Sequence, residues 1–197
     1  ANKPRMIVAK SDTTRYCIGK QWTGNKLCYY DFLRPDVNEI SLDIACGSRD
    51  AIDYCLSCDK DWLSFSQTEG HTAFTDRIQI QLDRSKLSGR DTAIVTVSGT
   101  DQSKVEITIH AENRCFDDYK PMTFFEYDGY IAMEAEHFCN KQDSADGCFS
   151  LLKPYGKTGS AMKVYPSLTD CSLTRRFEKP YLEYRFVTNT DGIYQLT

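Results

Sequence analysis

The sequence predicts an all-β protein built as two sandwich-type modules in series. Three observations carry that reading. Apolar residues recur at every second position rather than with a helical period. Turn-forming segments interrupt these runs at short, regular spacing. The apolar share, 41% of 197 residues with 12% aromatics, is enough to build a packed core.

The alternating runs come in order along the first part of the chain. Ile40, Leu42 and Ile44 alternate with polar residues, as do Ile78, Ile80 and Leu82. Ala93, Val95 and Val97 repeat the pattern, and Val105, Ile107 and Ile109 close it. Each run offers one apolar and one wet face, as a sandwich strand requires. Turns are expected at Cys46–Asp50, Thr68–Gly70, Lys86–Gly89 and Ser98–Gln102. The first module is therefore expected over residues 1–112.

Residues 113–128 break the rhythm with Cys115, Pro121 and the aromatic cluster Phe124-Phe125-Glu126-Tyr127. They are read as a connector. The second module is expected over 129–197, starting with a strand at Gly129–Phe138. Later strands are expected at Ser160–Val164, Pro180–Phe186 and Gly192–Thr197. Four strands are too few for a closed sandwich, and the sequence stops within a strand pattern. The second module is accordingly expected to be truncated, with an uncovered edge that self-associates.

Charge and composition exclude several classes. A net charge of −4 without long charge blocks gives no basic face for nucleic acid and no polybasic patch for a membrane surface. No run approaches the roughly 18 apolar residues of a membrane span. The nine cysteines include Cys55-Leu56-Ser57-Cys58, but a structural zinc site needs four ligands and no second pair or H-x-x-x-H partner exists. A redox role for this C-x-x-C would require a βαβ setting. Scattered thiols in a cytosolic or anaerobic host fit better, with Cys139 and Cys148 the first pair to examine for a disulfide. The compartment stays open between extracellular and cytoplasmic in a microbial host.

Carboxylates, histidines and aromatics supply the candidate site residues. Glu134 and Glu136 lie two apart on the expected strand Gly129–Phe138, so they share a face. Their spacing of roughly 7 Å falls within the roughly 5–10 Å of a glycosidase carboxylate pair. One exposed strand face supplies no walled sugar pocket, however, so no catalytic residue is assigned. The three histidines, His71, His110 and His137, show no metal-ligand spacing, with His71 expected in a turn. No G-x-S-x-G elbow is present. Trp62 is expected in the core. Trp22, in the polar loop Gly19–Gly24, is the candidate for stacking on a carbohydrate.

Two blocks resemble known modules. Asp61-Trp-Leu-Ser-Phe-Ser-Gln-Thr-Glu-Gly70 with Asp76-Arg-Ile-Gln-Ile-Gln-Leu-Asp83 resembles bacterial immunoglobulin-like modules. Gly129-Tyr-Ile-Ala-Met-Glu-Ala-Glu-His-Phe138, Pro180-Tyr-Leu-Glu-Tyr-Arg-Phe186 and Gly192-Ile-Tyr194 resemble the start of carbohydrate-binding-module-like sandwiches of jelly-roll type that open on an A-E dipeptide. In this order, over roughly residues 4–197, the blocks resemble the C-terminal region of glycoside hydrolase family 115, the xylan α-1,2-glucuronidases.

That resemblance implies an immunoglobulin-like β-sandwich followed by part of a jelly-roll-type β-sandwich. It also implies a non-catalytic accessory role beside an upstream catalytic domain of the same protein, by packing, dimerisation or polysaccharide binding. Glu134 and Glu136 match acids that in such modules often hold a structural calcium, an ion that takes six to eight oxygens. The alternative function is a surface adhesion or structural protein built from immunoglobulin-like modules.

Overall fold

The computed structural model describes residues 5–19, 26–48, 50–167 and 179–196. The chain divides into two compact units, Ala1–Phe116 and Asp117–Thr197. The protein is all-β, with only two short 3-10 turns among the described residues. No helix among the described residues is long and apolar enough to cross a membrane.

The first unit is a two-sheet sandwich. Its strands are β1 (Met6–Lys10), β2 (Tyr16–Ile18), β3 (Leu27–Phe32), β4 (Glu39–Cys46), β5 (Ile52–Cys58), β6 (Leu63–Phe65), β7 (Glu69–Thr72), β8 (Thr75–Leu82), β9 (Arg90–Gly99) and β10 (Lys104–Glu112). One sheet runs β2-β1-β4-β8-β6 and the other β3-β10-β9-β5-β7. The pairings are antiparallel, except that β3 lies parallel to β10. The alternation foreseen in the sequence determines what is buried. Leu42, Ile44, Ile78, Ile80, Val95, Val97, Ile107 and Ile109 are fully enclosed in one core fed by both sheets.

Polar bridges also tie the sheets together. The Tyr29 hydroxyl on β3 donates to the Ser41 carbonyl on β4 at 3.0 Å. The Tyr54 hydroxyl on β5 donates to Asp76 on β8 at 2.8 Å, and burial foremost pushes this phenol up to about 12. Lys10 on β1 and Asp31 on β3 form a buried ion pair at 2.8 Å. Below the sandwich, the Arg84 guanidinium collects the carbonyls of Arg34, Val37 and Glu112. A loop without regular structure is thereby pinned to the end of β10.

The second unit holds β11 (Thr123–Phe125), β12 (Asn140–Gln142), β13 (Cys148–Leu152), β14 (Ala161–Tyr165), β15 (Tyr181–Glu183) and β16 (Arg185–Val187). Among the described residues these pair as three two-stranded ladders, β11 with β16, β12 with β15 and β13 with β14. β11 comes from the stretch expected to be a connector, and it runs parallel to β16.

Three local expectations are corrected. No strand forms over Gly129–Phe138. Asp128 and Gly129 both take positive φ, 53° and 87°, and turn the chain so that Tyr127 and Tyr130 bond each other reciprocally at 2.7 and 2.9 Å. An Asp-Gly pair is suited to such a reversal. A second turn follows, closed by the His137 amide on the Glu134 carbonyl at 3.0 Å. Residues 192–196 form no strand either, because the Tyr194 hydroxyl is drawn back onto Glu126 and the Thr190 carbonyl. His71 stands in β7, opposite Asp53 of β5, rather than in a turn.

Candidate functional site

Trp22 lies outside the described residues. Glu134 and Glu136 are half-buried in the turn that replaces the expected strand. They nevertheless converge on one neighbouring loop. Glu134 accepts from the Thr158 hydroxyl at 2.6 Å, and Glu136 accepts from the Ser160 amide at 2.8 Å. Gly159, between those donors, is the closest approach. A Cβ there would meet Glu136 Oε1 well inside contact distance and lie 3.8 Å from Glu134 Oε2. The Tyr184 hydroxyl closes the other side by donating to the Ala135 carbonyl at 2.7 Å. The acidic motif thus latches the loop 156–160 to the turn 134–137.

The Ser160 amide foremost holds the Glu136 carboxyl below its ordinary value of 4.5. A depressed folded-state pKa means that the latch contributes fully above that ordinary value. The contribution is lost as pH falls through the lower, folded-state value. Among the described residues Glu136 Oε2 is buried without a hydrogen-bond partner, an unusual position for a carboxylate oxygen. Gly159→Ala is expected to open the latch, because the new methyl displaces Glu136. Hydrogen exchange at the Ser160 amide checks this: it should accelerate in the variant, and wild-type protection would contradict the geometry.

A second feature of this unit was not anticipated. Glu126 is only 4% exposed. Its Oε2 accepts from the Asn189 amide at 2.6 Å and the Tyr194 hydroxyl at 2.8 Å, while the Asn189 side chain donates to its carbonyl at 3.0 Å. Over this carboxylate opens a groove of about 740 Å³ walled by Tyr130, Ile131, Met133, Phe186 and Tyr194. Tyr130 is 77% and Phe186 51% exposed.

Cys55 is exposed and Cys58 half-buried on β5. Burial foremost raises the Cys58 thiol, which opposes thiolate chemistry. Cys139 and Cys148 are free thiols. His110 stacks on Tyr30 with ring centroids 4.8 Å apart and contacts the Thr92 hydroxyl at 3.0 Å; burial foremost lowers its pKa. Among the described residues no three or more His, Cys, Asp or Glu side chains are grouped to hold a metal ion.

Residues 123–197 match the family described as "Glycosyl hydrolase family 115 C-terminal domain". The match falls within the second unit; the sandwich of the first unit lies outside it. No curated protein matches the chain. Among solved structures, a Bacteroides ovatus GH5 xyloglucanase in complex with a XXXG heptasaccharide is 20% identical, over 54% of this chain and 19% of its own, with a TM-score of 0.35. The chain spans 19% of that enzyme's length. The ASH / PapD-like domain of human CEP192 is 8% identical, over 46% of this chain and 81% of its own, with a TM-score of 0.37. The periplasmic chaperone SfaE is 7% identical, over 83% of this chain and 96% of its own, at 0.35.

Proposed function

We propose that the chain is a non-catalytic accessory C-terminal region of a glycoside hydrolase acting on glucuronoxylan. The observation that carries this reading is the family match over residues 123–197. In this reading the catalytic groups belong to an upstream domain of the same protein, an α-glucuronidase. The region packs beside that domain and contacts the polysaccharide, with Trp22 as a stacking ring on the first unit. The coding sequence upstream tests this directly. A barrel domain preceding these residues supports the proposal, whereas a tandem array of sandwiches or a cell-wall anchor contradicts it in favour of an adhesion protein.

The same proposal includes a calcium ion held by Glu134 and Glu136. Glu136 Oε2, buried and without a partner among the described residues, supports the fit, since a cation would satisfy it. Two carboxylates supply only part of a calcium shell, so backbone carbonyls and water would complete it. The ion would rigidify the turn 134–137 and take no part in chemistry. Millimolar calcium is expected to raise the Tm of the second unit relative to chelator, through binding to the folded state alone. Glu136→Gln should abolish that shift; an equal shift in the variant would place the ion elsewhere.

A further inference from the structure

We infer that the groove over Glu126 is a binding site for a neutral pyranosyl residue of a polysaccharide backbone. Its volume of about 740 Å³ is that of a small-ligand pocket, and such pockets are mostly apolar with a few fixed polar groups. The walls supply the apolar part. Tyr130 is mostly and Phe186 about half in solvent, and an aromatic ring left in water is a platform for the C–H face of a sugar.

The polar part lies at the floor. The carboxylate of Glu126 is enclosed, and the Tyr194 hydroxyl is set between Glu126 and the Thr190 carbonyl. The Asn189 amides bond both the carboxylate and the carbonyl of Glu126, so the floor is ordered before any ligand arrives. Such pre-organisation lowers the cost of binding.

Charge selects among sugars. Among the described residues the groove is lined by one carboxylate and by no Lys, Arg or His. A uronate would enter against Glu126 with no cation among the described lining residues to offset the repulsion, whereas a neutral sugar brings hydroxyl groups without a charge. The site therefore takes the unsubstituted backbone and rejects the acidic branch. This inference rests on the accessory reading for its choice of polysaccharide, but its geometry belongs to the groove alone.

The test is a titration of the 197-residue chain with xylotetraose and, separately, with glucuronic acid, followed by amide chemical shifts and calorimetry. Xylotetraose should shift amides of residues 126–133 and 186–196, and glucuronic acid should not. Tyr130→Ala and Phe186→Ala, both at exposed rings, should weaken xylotetraose binding at least tenfold while leaving Tm unchanged. Xylotetraose shifts confined to the first unit, unaffected by these variants, would overturn the groove and leave the accessory reading standing. Absence of any xylotetraose response, or preferential binding of glucuronic acid, would also overturn it. Light scattering that shows a dimer dissociated by Phe186→Ser would assign the groove to a second copy of the chain and equally overturn the sugar site.

Discussion

Replacing Trp62 with alanine is expected to lower the stability of the first unit by about 3–5 kcal/mol, the usual range for deleting a large buried aromatic. Trp62 is 3% exposed although it immediately precedes β6, a strand of three residues at the edge of its sheet. Trp62 and Leu63 are consecutive and both buried, which a regular strand with one solvent-facing side would not allow. The indole enters the core from the irregular approach to β6. Its Nε1 donates to Asp91 at 3.0 Å, and its carbonyl accepts the Asp83 amide at 2.9 Å. Asp91 also receives Lys60 and the Thr92 amide, so the carboxylate survives the substitution with donors in place, and the loss is mainly cavity. Trp62→Phe keeps most of the volume and forfeits the hydrogen bond, at about 0.5–1.5 kcal/mol. Urea titration of the first-unit transition measures both. A loss under about 1 kcal/mol for the alanine variant would mean that the ring is not part of the core.

The buried ion pair gives the second large effect. Lys10 and Asp31 are 4% and 8% exposed, 2.8 Å apart, and on different sheets. The Lys10 ammonium also lies 4.6 Å from the centroid of the Tyr29 ring. Asp31→Ala removes the carboxylate and leaves the ammonium desolvated, at a cost of about 3–5 kcal/mol. Lys10→Met alone strands the carboxylate with a cost of the same order. The double change Lys10→Met/Asp31→Leu removes both charges and supplies apolar volume. It should be close to neutral, or stabilising by about 1–4 kcal/mol. A double-mutant cycle in urea measures the coupling. A double variant as unstable as the sum of the singles would show that the two charges do not depend on each other.

The first unit was largely legible because its strands obey one rule. Ile40 to Ile44, Ile78 to Leu82, Ala93 to Val97 and Val105 to Ile109 each fall on the inward face of a single strand. β1 was harder to read: Met6–Lys10 is an apolar run that ends in a lysine, and burial of that lysine depends on Asp31, far along the chain. β5 alternates Ile52, Tyr54 and Leu56 inward, but its buried tyrosine depends on Asp76 to satisfy the hydroxyl.

The second unit defeated pattern reading at the point where a local signal opposed a longer one. Residues 129–138 alternate well enough for a strand, yet Asp128-Gly129 adopts the left-handed conformations of a turn. Glu134 and Glu136 were therefore identified as a pair for the wrong geometric reason: they meet through the loop carrying Gly159 and not through a shared strand face. Glu126 could not be found at all, since its partners Asn189 and Tyr194 lie 63 and 68 residues away. Nothing near position 126 signals a buried acid.

The most direct measurement of the central claim is release of glucuronic acid from aldouronic acids, by the full-length protein and by residues 1–197 in parallel. The account predicts release by the full-length protein and none by the 197-residue chain. Release by the 197-residue chain, abolished by Glu134→Gln, would show that the catalytic groups reside in these units and would contradict an accessory role.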